Sequence, residues 1–244
     1  MSRVRSTRRT ISHHRGSKVA KAYPSTAHHV AHQFEDVEQQ HESSTLGMWV
    51  FLATEVMFFG AAFAAYMVYR TQYPAAWAFG SHHLNELFGT INTAVLLTSS
   101  LTVALAVHAA QEGKTDRIAR LLLITVALAF VFLVIKGIEY YGEYKDGLIP
   151  LLNFTNPELA DPGQAADPGK IQLFMIFYFT MTGLHALHIL IGIGLLSTIA
   201  FFARRGRYSA AYATPVELSG LYWHFVDLVW VFLFPLLYLT GPRV

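Results

Sequence analysis

The chain has 244 residues, of which 53% are hydrophobic and 14% are charged, with a formal net charge of +2 and no cysteine. Because soluble domains carry about 25% charged residues, this composition predicts an integral membrane protein with one compact domain. The lack of cysteine excludes disulfides, thiolate metal sites and cysteine nucleophiles. The apolar part of the chain contains no patch of basic and aromatic residues that would indicate binding to nucleic acid.

The chain starts with a basic segment that contains no apolar run. Residues 1–34 hold seven Lys and Arg residues and no acidic residue. This pattern does not fit a secretory signal, although an Arg- and Ser-rich start leaves a mitochondrial transit peptide as an alternative. We expect residues 1–45 to form a disordered cytoplasmic tail that lies close to anionic lipid.

Five apolar segments occupy residues 46–244, and each is long enough to cross a bilayer as a helix of about 20 residues. The segments lack the alternation of strands, and helices satisfy their own backbone hydrogen bonds in lipid. The predicted fold is therefore an all-α, polytopic membrane helix bundle. Its five transmembrane helices are predicted near residues 47–69, 88–110, 119–141, 171–203 and 217–240.

The distribution of basic residues predicts the orientation of the bundle. The N-terminal segment and the connections at 111–120 and 204–215 carry 13 Lys and Arg residues, whereas the opposite connections and the C-terminus carry four. Because cytoplasmic loops are enriched in Lys and Arg, we expect the N-terminus inside and the C-terminus outside. The sequence shows no internal repeat, which disfavours a transporter built from inverted repeats.

Several ionisable side chains lie within the predicted helices, where such groups are costly and often functional. Glu55 is eight residues into the first helix, and His224 and Asp227 lie in the inner half of the fifth. A Glu and a His at one level can share a proton or form a charged pair. All three are candidates for a proton-active or lipid-contacting role, which we favour for Glu55, whereas we favour packing and orientation for His224 and Asp227. The alternative is a set of hydrogen bonds that holds the helices together.

Two further pairs of ionisable residues have helical spacing. His185 and His188 are three residues apart, which places them on one face of the fourth helix. A zinc site would need two or more ligands from other helices, so we expect both rings to hydrogen-bond to neighbouring polar groups. Lys136 and Glu139 have the same spacing on the third helix. We expect a local pair there, with Lys136 close enough to the interface to extend toward water.

Five short motifs together are similar to one family. Residues 222–230 (YWHFVDLVW) and 183–189 (GLHALHI) resemble signatures of subunit III of haem-copper terminal oxidases, the cytochrome c oxidase type. Residues 54–59 (TEVMFF), 92–97 (NTAVLL) and 139–141 (EYY) match the same family in order and spacing. The resemblance covers nearly the whole apolar part of the chain, and its five helices are similar to the shorter, bacterial form of the family.

The resemblance implies a role for the chain. A subunit of this family carries no haem or copper, lies beside catalytic subunit I, and supports proton uptake and stability of that subunit. The carboxylate that reacts with carbodiimide in the family corresponds to Glu55. We expect structural roles for the other polar and aromatic residues singled out in the helices, which are His185, His188, Glu139, Asn92, Tyr222, Trp223 and Trp230.

The resemblance also implies partners and a location. It indicates oxidase subunits I and II and a small subunit IV as neighbours, together with phospholipid and a larger respiratory supercomplex in the bacterial inner membrane. Haem and copper are expected in the partner subunits, and neither a metal site nor a catalytic residue is expected in this chain. The alternatives are subunit III of a quinol oxidase, a homologue associated with nitric oxide reductase, a stand-alone proton channel or transporter, and a membrane cytochrome b.

Overall fold

The computed structural model describes residues 33–155, 167–209 and 212–239. Within these ranges the chain forms six α-helices and one short antiparallel hairpin, in which Leu148 pairs with Phe154. In chain order the elements are α1 (Val37–Gln72), α2 (Pro74–His83), α3 (Glu86–Gln111), α4 (Thr115–Lys145), β1 (Leu148–Ile149), β2 (Asn153–Phe154), α5 (Pro168–Arg204) and α6 (Thr214–Tyr238).

The predicted all-α bundle with five transmembrane helices is confirmed. Helices α1, α3, α4, α5 and α6 are each long and apolar enough to cross a membrane, and they overlap the five predicted segments. Large apolar side chains are exposed along all five helices, as expected for surfaces that face lipid or other membrane proteins rather than water.

Helix α6 packs against α3, α5 and α1. Its indole side chains at Trp223 and Trp230 are fully buried. The approach of α6 to α5 requires glycine at position 192, because a Cβ atom there would lie 2.7 Å from the ring of Trp223. Gly192 therefore allows an indole of one helix to lie directly against the backbone of its neighbour.

Helix α1 begins ten residues earlier than the predicted start at residue 47. Asp36 caps the helix, since its side chain accepts a hydrogen bond from the backbone N–H of Gln39 at 2.7 Å, the arrangement that N-cap residues favour. Residues 37–45, which we expected in a disordered tail, are consequently helical. The part of the expected tail at 1–32 lies outside the described residues.

Helix α2 occupies a stretch that the apolar pattern leaves as a connection between two spans. It is only ten residues long, too short to cross a bilayer. Pro74 stands in its first turn, where the fixed backbone angle of proline favours helix initiation. Trp77 anchors it, because this buried indole meets the ring of Phe174 edge-on at 5.7 Å between centroids.

The connection between α3 and α4 is a tight turn that makes the two helices antiparallel neighbours. Gly113 has a φ angle of 73°, a conformation that glycine adopts without steric cost. Lys114 donates a hydrogen bond to the carboxylate of Glu112 at 2.8 Å, and this bond lowers the pKa of Glu112.

Candidate functional site

Glu55 on α1 and His188 on α5 form an ion pair or hydrogen-bonded pair within the membrane-spanning part of the bundle. Oε2 of Glu55 lies 3.1 Å from Nε2 of His188, and the two side chains are 19% and 12% exposed. Nδ1 of His188 lies 2.8 Å from the carbonyl oxygen of Leu184. A carbonyl oxygen only accepts hydrogen bonds, so Nδ1 carries a hydrogen and donates it.

This tautomer determines the chemistry of the pair. With Nδ1 protonated, a hydrogen bond between Nε2 of His188 and Oε2 of Glu55 requires one further proton, because two unprotonated acceptors do not bond to each other. The pair is then either a neutral carboxylic acid beside a neutral imidazole or a carboxylate beside an imidazolium. Both arrangements have zero net charge, so a proton can move across the 3.1 Å contact without creating an isolated charge in lipid.

Side chains from α1 and α6 contact His188 of this pair. The ring of Phe59 on α1 meets the imidazole edge-on at 5.2 Å between centroids. The hydroxyl of Tyr222 on α6 donates a hydrogen bond to the backbone carbonyl of His188 at 2.9 Å. Tyr222 therefore positions the backbone of His188, which agrees with the structural role expected for this tyrosine.

His224 and Asp227, which the sequence grouped with Glu55, form a separate group at the contact between α3 and α6. Nδ1 of His224 shares a hydrogen bond with the hydroxyl of Ser100 at 2.8 Å. Asp227 is buried, and within the described residues neither of its oxygens has a partner at hydrogen-bond distance, although Ser100 lies close enough to interact with the carboxylate. The histidine partner of Glu55 is thus His188 and not His224.

The two histidines of α5 have different surroundings despite their spacing of three residues. His185 is buried and stacks on Trp230, with 5.2 Å between ring centroids and 30° between planes. Neither ring nitrogen of His185 has a hydrogen-bond partner among the described residues. We expected both histidines to hydrogen-bond to polar neighbours, but only His188 does so. Two positions three residues apart on a helix differ in direction by about 300°, and His185 faces aromatic rings instead.

Two indole N–H groups of α6 bind hydroxyl groups of α3. Trp223 donates to the hydroxyl of Ser99 at 3.0 Å, and Trp230 donates to that of Thr93 at 3.1 Å. The neighbouring amide of Asn92 is fully buried, and neither its oxygen nor its nitrogen has a partner in the described part of the chain. The tryptophans therefore provide hydrogen bonds between helices, as their expected structural role requires.

A second buried cluster connects α4, α5 and α6. Nζ of Lys136 donates to Oε2 of Glu139 at 3.0 Å, to the hydroxyl of Tyr178 at 3.1 Å and to the hydroxyl of Tyr238 at 2.8 Å. The two phenols in turn donate to Oε1 of Glu139, at 3.0 Å from Tyr178 and 2.6 Å from Tyr238. Every charged atom of the pair is thus hydrogen-bonded, which is what makes a buried ion pair tolerable.

Lys136 is only 4% exposed, so the expectation that it extends toward water is wrong. Its Nζ lies between 4.9 and 5.5 Å from the centroids of four aromatic rings, and cations are attracted to such ring faces. Three of these rings come from α5 and α6, whereas the spacing of Lys136 and Glu139 on α4 was the part predicted from the sequence. The four rings belong to Tyr140, Tyr178, Trp230 and Tyr238.

No group of three or more His, Asp or Glu side chains in the described ranges is arranged to hold a metal ion. The arrangement at Glu55 and His188 can hold and transfer a proton, whereas the arrangements at Lys136 and at Trp223 hold helices together.

Comparison with known proteins gives consistent matches over most of the chain. The family model for "Cytochrome c oxidase subunit III" matches residues 26–144 and 171–242. The cytochrome c oxidase subunit 3 of Corynebacterium diphtheriae is 30% identical over 196 residues, which cover 80% of this chain and 86% of that protein. That of Thermostichus vulcanus is 31% identical over 211 residues, covering 83% and 92%. That of Synechocystis sp. is 31% identical over 194 residues, covering 79% and 74%.

Proposed function

The chain belongs to the cytochrome c oxidase subunit III family, and from this membership we propose that it is a non-redox accessory subunit of a proton-pumping cytochrome c oxidase. In this role it supports proton uptake into catalytic subunit I and prolongs the working life of that subunit. The observation that carries the proposal is the 3.1 Å contact between the Glu55 carboxylate and the His188 imidazole inside an apolar bundle.

The pair suits a role in proton supply because its two forms are both neutral overall. A lone carboxylate or imidazolium at this depth would be costly, but a proton shared over 3.1 Å keeps the charge compensated whichever atom holds it. Both side chains keep some exposure, so neither is sealed off from a proton donor outside the bundle. A hydrogen bond used only to join two helices would not require a titratable group at both ends.

The proposed assembly extends to components outside this chain. Haem and copper belong to the partner subunits, subunits I and II are direct neighbours, and a small subunit IV and a respiratory supercomplex complete the environment. The chain lies in the bacterial inner membrane with its N-terminus inside and its C-terminus outside, and phospholipid contacts its apolar surface. Support comes from the asymmetric distribution of Lys and Arg and from the names of the bacterial relatives.

The test uses Glu55→Gln in the intact oxidase. With Nδ1 of His188 donating to Leu184, a glutamine amide can still donate to Nε2, so the structural hydrogen bond persists while the titratable proton is lost. We expect normal assembly, loss of carbodiimide labelling, and a several-fold shorter lifetime during turnover. Glu217→Gln, in the first turn of α6, is the control and should keep both properties.

Two results would contradict the proposal. An unchanged lifetime and unchanged proton uptake in Glu55→Gln would show that the pair is structural. Deletion of the whole chain should leave oxygen reduction detectable but short-lived, and a complete loss of haem from the enzyme would indicate a role in assembly instead.

A further inference from the structure

One face of α6 is left uncovered between α1 and α3. Leu228, Val231 and Phe232 are exposed there, with Leu228 at 52% and Phe232 at 57%. His224 lies on the same face, because residues four apart in a helix are neighbours, and it is partly exposed. This face, made by residues 224, 228, 231 and 232, is called the α6 stripe below.

The contacts of α6 place the stripe between the two flanking helices. Trp223 and Trp230 point to α3, where they bind Ser99 and Thr93. Phe225 points to α1, where its ring meets that of Phe59 edge-on at 6.2 Å. At about 100° per residue, the stripe falls between the direction of the tryptophans and that of the phenylalanine, so it lies between α3 and α1. The surface along the stripe between these two helices is called the groove below.

The floor of this groove contains a hydrogen-bonding atom that nothing in the described chain satisfies. Nδ1 of His224 is engaged with Ser100, but Nε2 of His224 has no hydrogen-bond partner among the described residues, and it is not sealed inside the chain. His224 is ten residues beyond the start of α6 at Thr214, which is roughly 15 Å along a helix. Counted from that end of the helix, this distance places the imidazole inside a hydrocarbon core about 30 Å thick.

Lipid tails cannot satisfy this nitrogen, because the hydrocarbon core contains no donors or acceptors. The imidazole is also too short to reach the headgroup region from within the hydrocarbon core, unlike a long Lys or Arg side chain. A transmembrane helix can satisfy it, since polar side chains at mid-membrane depth hydrogen-bond across helix contacts while apolar residues pack beside them.

We propose that the α6 stripe is the binding surface for a transmembrane helix of a neighbouring subunit, which presents a hydroxyl, amide or carboxyl group to Nε2 of His224. The apolar side chains of Leu228, Val231 and Phe232 pack against that helix, and the single polar contact sets its position along the groove. The identity of the neighbour as an oxidase subunit rests on the proposed function; the need for a polar helix at this position does not.

The test is photo-crosslinking in native membranes of cells that make the whole complex. A benzophenone amino acid replaces Leu228, which is exposed and one turn from His224. We expect a protein adduct whose yield falls roughly three- to thirtyfold in His224→Leu, the range set by one interhelical hydrogen bond. His224→Gln keeps a hydrogen-bonding group and should restore most of the yield.

A matched control separates this effect from general damage to the chain. His108 lies near the end of α3 with its side chain 68% exposed, outside the groove, and His108→Leu should leave the adduct yield unchanged. The amount of chain in the membrane is measured for every variant, and yields are normalised to it.

The outcomes distinguish this inference from the proposed function. An adduct with a haem-containing oxidase subunit supports both, whereas an adduct with a different membrane protein supports the groove and contradicts the oxidase role. Adducts with lipid alone, or equal yields in His224→Leu and His224→Gln, would overturn the inference about the groove. The proposed oxidase role would be unaffected, because it is argued from the Glu55–His188 pair.

Discussion

Replacing Lys136 with Met removes the positive charge of the buried α4–α5–α6 cluster and keeps a side chain of similar shape. The variant loses three hydrogen bonds, to Glu139, Tyr178 and Tyr238, and leaves the Glu139 carboxylate buried without its ion partner. Breaking a buried pair in this way costs about 3–5 kcal/mol. At about 1.4 kcal/mol for each factor of ten, the folding equilibrium constant should fall roughly 100- to 4,000-fold.

The measurement is unfolding of the purified chain in mixed micelles by increasing fractions of a denaturing detergent, followed by tryptophan fluorescence. Lys145→Met is the control, because Lys145 lies in the last turn of α4 and is exposed, and surface substitutions change stability by about 0.5 kcal/mol or less. The double variant Lys136→Met/Glu139→Leu should recover much of the loss, since no charge is then left unpaired.

Comparable losses in Lys136→Met and Lys145→Met would refute this reasoning. Such a result would mean that the cluster does not hold a charged pair in the folded chain, or that the unfolded chain in the micelle keeps the same contacts.

The remaining predictions concern packing and the N-terminal segment. Gly192→Ala should destabilise the chain by about 1–3 kcal/mol through overpacking, because its Cβ would meet the Trp223 ring at 2.7 Å. Gly194→Ala has open space around the new atom and should be neutral; equal melting temperatures for the two variants would contradict the close contact. Removal of residues 1–34 should leave membrane insertion intact, as tested by extraction of membranes at alkaline pH, and failure to insert would favour a targeting function for this segment.

Hydropathy and segment length were sufficient to predict the five membrane helices, because an apolar stretch of spanning length has few alternatives in lipid. The same signal could not predict α2, which is too short to span and gains its position from the contact between Trp77 and Phe174. It also placed the start of α1 too late, since the polar first turns after Asp36 lie outside the apolar pattern.

The candidate site was predicted in part. The depth of Glu55 in the first helix identified it as unusual, and a histidine was expected beside it. The sequence grouped Glu55 with His224, whereas the histidine that contacts Glu55 in the structure is His188. Depth along a helix can be counted from sequence, whereas rotation about the helix axis and the choice of neighbouring helices depend on packing. For the same reason the sequence did not predict that the phenols of Tyr178 and Tyr238 contact Lys136, since both tyrosines lie on other helices.

The position of Glu139 on the same helix as Lys136 has a consequence for how the chain enters the membrane during synthesis. α4 precedes α5 and α6 in the chain, so its lysine enters the membrane before Tyr178 and Tyr238 are both in place to contact it. A counter-ion three residues away on the same helix face lowers the cost of inserting that lysine without help from later helices. The two tyrosines then hydrogen-bond to an ion pair that already has zero net charge, and these bonds hold α5 and α6 against α4.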